Sequence, residues 1–102
     1  MNKSILEVMH ETAQDLHEAG AMNEVTMREF DALCLAPIKK YSGNQIKRIR
    51  TKNKASQAVF AAYLNTSKST VQKWEQGLKS PNGPSLKLLN IVDKKGIQAL
   101  AL

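Results

Sequence analysis

Four side chains within six residues offer the most specific chemistry in this chain: Lys68, Ser69, Gln72 and Lys73. On a helix they share an outward face, and such a face can hydrogen-bond the edges of bases in a DNA groove. Lys donates to guanine acceptors, Gln pairs with adenine, and Ser serves either. An ordinary solvated helix carries similar residues, so the assignment depends on what surrounds them. Upstream lie Lys47, Arg48, Arg50, Lys52 and Lys54, some of which are expected to touch a phosphate backbone. The remaining reactive residues do not converge. Cys34 is the lone cysteine, which excludes an internal disulfide and a cysteine-based metal cage. His10 and His17 lie two helical turns apart, too far for the i, i+4 pairing that seats one metal ion. With no acid/base constellation, the chain is expected to be a binding module without enzymatic activity, metal or cofactor.

The 102 residues allow one small domain plus an appendage. A content of 42% hydrophobic but only 5% aromatic residues favours an aliphatic helical core over a sandwich or barrel. Net charge is +6, but its distribution is more telling. Residues 1–36 hold two Lys/Arg against seven Asp/Glu, a net of −5, whereas residues 37–102 hold thirteen against two, a net of +11. The basic part suits a polyanion; the acidic part either shields it or meets a basic partner. No apolar run approaches the ~20 residues that span a bilayer. Met1 opens onto an amphipathic stretch, so the chain is expected to be cytoplasmic and to have no membrane partner.

Helical periodicity runs from Ser4 to Ala19, with Ile5, Leu6, Met9, Ala13 and Leu16 on one face and a stop at Gly20. Thr26-Met27-Arg28-Glu29 has capping-box spacing and predicts a short second helix bearing Met27, Phe30, Leu33 and Cys34, ended by Pro37. These two helices bury little alone, so their apolar stripe packs on its own domain, on a second protomer, or in a partner's groove. The residues expected to meet such a partner are Ile5, Leu6, Met9, Leu16, Met27 and Phe30. Cys34 is expected to be a buried small hydrophobe. From residue 39 a second domain is expected, with a helix opening at Ser42-Gly43-Asn44-Gln45, where Ile46 and Ile49 point inward. Further helices are predicted from Gln57 to Leu64, from Lys68 to Gln76 and from Pro84 to Lys95, with a short tail at Ile97–Leu102. Ser56 and Ser67 occupy N-cap positions, Gly77 and Gly96 lie past helix ends, and Pro84 is expected at N1.

Residues 56–75 satisfy the geometry of a helix-turn-helix. Ala61 is small enough for a close crossing, and Asn65 tolerates the left-handed turn. Phe60, Leu64, Val71 and Trp74 supply the core. Tyr41 and Tyr63 either pack or reach a phosphate. With Ser56-Gln57 opening the motif and Trp74-Glu75-Gln76-Gly77 closing it, residues 42–100 resemble the Xre/Cro family, although Asn65 stands where many members carry Gly. The resemblance implies an all-α, five-helix, lambda-repressor-like domain over residues 39–102, preceded by an acidic region over 1–38. It also implies that Lys68, Ser69 and Lys73 read bases and that Gln57 contacts a phosphate. The full phosphate-binding set is expected to be Lys54, Gln57, Thr66, Ser67, Thr70 and Lys79.

The runs Met27-Arg28-Glu29-Phe30-Asp31-Ala32-Leu33, Ser56-Gln57-Ala58-Val59-Phe60-Ala61 and Ser85-Leu86-Lys87-Leu88-Leu89 resemble HigA-type antitoxins. That resemblance implies a homodimer that represses its own operon at a palindromic operator and holds a small basic RelE-like toxin. The charge of residues 1–36 has the sign such a partner requires. A stand-alone Xre-type regulator with no toxin is the alternative.

Overall fold

Local capping chemistry delimits nearly every helix of this chain. The computed structural model describes residues 3–102, which form α-helices and one 3-10 turn, with no strand among the described residues. Met1, on which the expectation of a chain without an export leader turns, lies outside them. The chain divides into two compact units, Met1–Pro37 and Ile38–Leu102.

The first unit is a hairpin of α1 (Ile5–Glu18) and α2 (Glu24–Leu33). Ser4 and Glu7 cap α1 reciprocally: the Ser4 hydroxyl accepts from the Glu7 amide at 3.1 Å and the Glu7 carboxylate from the Ser4 amide at 3.3 Å. Thr26 does not open α2 as its capping-box spacing predicts. The side chain of Asn23, three residues earlier, accepts from the Thr26 amide at 2.8 Å and places Thr26 inside the helix. Nor does Pro37 end α2, which closes at Leu33 when the Cys34 amide bonds back to the Asp31 carbonyl. Among the described residues of this unit, only Ala13 and Met27 are buried. Met27, expected to face a partner, is 4% exposed and belongs to the α1–α2 contact instead. Cys34 is half-buried rather than buried, because two helices are too thin to enclose it; its thiol donates to the Leu6 carbonyl.

The second unit holds α3 (Gly43–Lys52), α4 (Gln57–Tyr63), α5 (Lys68–Glu75), α6 (Gly83–Lys95) and a 3-10 turn (Ile97–Leu100), so the fifth expected helix is a single tight turn. Ser42 and Gln45 form the expected capping box. The core collects Ile46 and Ile49 from α3, Phe60 and Ala61 from α4, Val71 and Trp74 from α5, and Leu89 and Val92 from α6. Each fully buried large side chain contributes about 1.5–3 kcal/mol.

Two polar latches fasten the entry segment of this unit to α6. The buried Asn90 amide accepts from the Lys39 backbone at 2.9 Å and donates to the Lys39 and Leu86 carbonyls at 3.0 and 2.8 Å. Nearby, the Tyr41 hydroxyl donates to Asp93 at 2.8 Å, which resolves Tyr41 as a packing residue. Burial, reinforced by that carboxylate, pushes its pKa up to about 12.

Gly43 lies against the end of α5. A Cβ at residue 43 would stand 2.5 Å from the Glu75 carbonyl oxygen and 2.7 Å from that of Trp74. The absent side chain lets the positive N-terminus of α3 meet carbonyls at the negative C-terminus of α5. Gly43→Ala is therefore expected to destabilise the protein by about 1–3 kcal/mol in urea unfolding, while Asn44→Ala, at an exposed neighbour, changes stability by about 0.5 kcal/mol or less.

Candidate nucleic-acid interface

The presentation of α5 follows from how α4 and α5 cross. Ala61 is buried at the crossing, and Asn65 adopts φ +54 in the turn, the left-handed conformation its side chain tolerates. The Thr66 amide closes the turn by donating to the Ala61 carbonyl at 2.9 Å. Ser67 then caps α5, its hydroxyl accepting from the Thr70 amide at 3.1 Å. Val71 and Trp74 are buried inward. That leaves Lys68, Ser69 and Lys73 exposed and Gln72 half-exposed on the opposite side of the same helix.

One anchor of this geometry departs from the sequence expectation. Arg50, grouped by its type with the solvated cations of α3, is drawn inward to a bidentate pair with Glu75. Its Nε and Nη2 donate to the carboxylate at 2.7 and 3.0 Å. The Arg50 side chain is 13% and that of Glu75 7% exposed. The guanidinium also donates to the Ala55 carbonyl, and the Gln57 amide donates to Glu75 at 3.3 Å. One carboxylate thus ties α3, the start of α4 and the end of α5 together. Burial alone would raise the Glu75 pKa. The hydrogen bonds from Arg50 and Gln57 outweigh it, aided by the charges of Arg50 and Lys47, and hold the carboxyl below its ordinary value of 4.5. The sequence signal was present: Glu75 and Asp93 are the only acids among residues 37–102. A lone acid beside a core tryptophan in so basic a stretch is a strong candidate for internal pairing.

The expected phosphate ligands, with the base-reading Lys68 beside one of them, are placed as follows. Gln57 and Lys68 line one open hollow of about 550 Å³ together with Arg50, Ser56 and Ala58. Thr66 is half-buried, whereas Lys54 and Lys79 are exposed. Ser67 and Thr70 share a hydroxyl–hydroxyl bond of 2.8 Å, so of their two protons one is spent internally and one is free to donate. Lys54 is held at φ +57, where Gly or Asn would be at ease, at a cost of about 1–3 kcal/mol. Tyr63 is partly exposed on α4. In the first unit, His10 and His17 each meet a carboxylate of α2, Asp31 at 2.7 Å and Glu24 at 2.6 Å. No group of His, Cys, Asp and Glu able to hold a metal ion occurs among the described residues, and none of their helices is long and apolar enough to cross a membrane.

Removing Arg50 strands a buried carboxylate. Arg50→Met is expected to cost about 3–5 kcal/mol in denaturant unfolding near neutral pH. Because the folded-state pKa of Glu75 is depressed, the pair's stabilisation is complete above the ordinary carboxylate value. It is lost as pH falls through the lower, folded value, so wild type and variant converge in acid. A gap between them that stays constant with pH would contradict this account.

Comparison with known proteins agrees with the geometry of the second unit. The family model described as helix-turn-helix matches residues 46–98. Among curated proteins, antitoxin HigA-2 of Vibrio cholerae serotype O1 (strain ATCC 39315 / El Tor Inaba N16961) is 42% identical over 53 residues, which cover 52% of this chain and 51% of the relative. The chain thus spans about half the length of the curated relative it matches. With Asn65 turning between two crossed helices, an outward polar face on the second, and a family match across the same residues, the chain belongs to the Xre-type helix-turn-helix family of DNA-binding regulators.

Proposed function

We propose that this protein is a sequence-specific repressor that places α5 in the major groove, with Lys68, Ser69, Gln72 and Lys73 reading base edges. The observation that carries this reading is the division of α5: Val71 and Trp74 are buried, while Lys68, Ser69 and Lys73 stand in solvent. Lys54, Gln57, Thr66, Ser67, Thr70 and Lys79 contact phosphates and set the register of the domain on DNA. Two protomers engage a palindromic operator with half-sites ~34 Å apart or a multiple of it.

A second function accompanies the first: antitoxin activity, in which the acidic unit neutralises a small basic RelE-like toxin and the complex represses its own operon. Two observations favour it. The similar Vibrio protein is named an antitoxin. The first unit also offers acidic charge: Lys3 pairs with Glu11, and Arg28 with Glu24 and Asp31, whereas Glu7, Asp15, Glu18 and Glu29 take part in no ion pair among the described residues. Co-expression with a small basic protein encoded beside this chain tests it. Stable co-purification and relief of growth arrest are expected; unrelieved arrest would leave a stand-alone regulator.

The DNA assignment is tested by fluorescence anisotropy across a salt series. Lys68→Ala and Lys73→Ala are each expected to cost about 1–3 kcal/mol on the operator and to relax sequence preference. Lys54→Gly removes a phosphate contact while relieving the left-handed backbone. It is expected to weaken all sequences alike and reduce the salt slope by about one unit, without loss of thermal stability. Unchanged preference in both α5 variants would sink the assignment of the reading helix.

A further inference from the structure

We propose that the groove between α1 and α2 is the anchor for an amphipathic, cationic helix of a partner protein. This rests on the reading that the acidic unit holds a basic protein, and it specifies how that protein is recognised. The groove is formed by Val8, Met9, Thr12 and Leu16 of α1, Met22 of the connection and Phe30 of α2, and encloses about 220 Å³. Its polar contribution is a single threonine.

Three observations select the occupant. The first is exposure: of the fourteen residues of α1 only Ala13 is buried, and Ile5, Leu6, Val8, Met9 and Leu16 all remain open along one stretch. A contiguous apolar surface of this kind on a small unit marks an interaction site. The second is size. About 220 Å³ falls below the roughly 300–1,000 Å³ of small-molecule clefts, and an open trough of that volume suits one or two large side chains from a macromolecule. The third is charge. Lys3 and Arg28 are both engaged in ion pairs within the unit, and among the described residues Glu7, Asp15, Glu18 and Glu29 are in none. An apolar trough on a segment of net charge −5 fits a helix with apolar residues at i, i+3, i+4 and i+7 and Lys/Arg on its other faces. The same net negative charge opposes an anionic lipid surface and a second copy of this segment.

The test uses the full chain and two synthetic peptides of identical Lys/Leu composition. One carries Leu at helical spacing, and the other is a scramble that abolishes the apolar face. Calorimetric titration is expected to show the spaced peptide binding at least about tenfold tighter than the scramble, with amide NMR shifts confined to the first unit. Met9→Lys and Leu16→Lys alter exposed positions, so circular dichroism and operator affinity stay at wild-type values while peptide affinity falls at least about tenfold. Equal affinity for the two peptides would overturn the proposal, as would indifference to both variants. Sedimentation showing that the free chain dimerises through this face, with dimerisation lost in Met9→Lys, would assign the groove to a second copy instead. Co-expression separates this proposal from the antitoxin reading. A basic partner retained equally by wild type and both variants refutes the groove and leaves the antitoxin reading standing. Binding of the spaced peptide without any retained basic partner supports the groove and removes the toxin as its occupant.

Discussion

The Glu75 carboxylate is the point through which the second unit holds its reading helix. It sits at the end of α5, receives two hydrogen bonds from Arg50 of α3 and a third from Gln57 at the start of α4, and is almost fully withdrawn from water. A buried charge is tolerated only when it is paired and hydrogen-bonded, so the three helices are constrained to meet with these groups aligned. The close approach of Gly43 to the Glu75 and Trp74 carbonyls is the backbone counterpart of the same junction. A helix that must present side chains to base edges needs this rigidity, because each contact is directional and short.

Gln57 connects that junction to the outer surface. Its amide donates to Glu75, and it lines the same hollow as Lys68 at the beginning of α5. A group bound in that hollow would therefore touch residues whose positions are set by the buried pair. The polar surface of α5 and the apolar interior beneath it are two faces of one short helix, held in orientation by Val71 and Trp74 on one side and by the carboxylate at its end.

The first unit follows another principle. Its two helices bury only Ala13 and Met27, and its polar links are ion pairs of Lys3 and Arg28 and hydrogen bonds of His10 with Asp31 and His17 with Glu24. Hydrogen bonding from His10 and then from Arg28 holds the Asp31 carboxyl below the usual value. Exposed pairs of this kind contribute little each, and so small a buried core leaves most of the apolar face available. A hairpin built this way is suited to completing its core on another molecule.

Much of the second unit was legible in the residues themselves. Ser42 with Gln45, Ser56 and Ser67 mark helix starts because their hydroxyls satisfy amides that the helix leaves unbonded, a local requirement visible at short spacing. The inward set Phe60, Leu64, Val71 and Trp74 and the left-handed Asn65 were equally readable, since periodicity and backbone tolerance are local properties. The second helix of the first unit was harder. Asn23 and Thr26 are both plausible caps, and only the folded chain shows which side chain reaches an amide. The destinations of Met27 and Asn90 could not be read, and although Glu75 was marked for internal pairing, which cation would meet it was not. Arg50 meets a carboxylate 25 residues away and Asn90 meets Lys39 51 residues away. Sequence alone determined where most of the helices begin, which faces are apolar and where charge accumulates. Tertiary structure decided which polar groups were withdrawn from water, because that depends on partners brought together from distant parts of the chain.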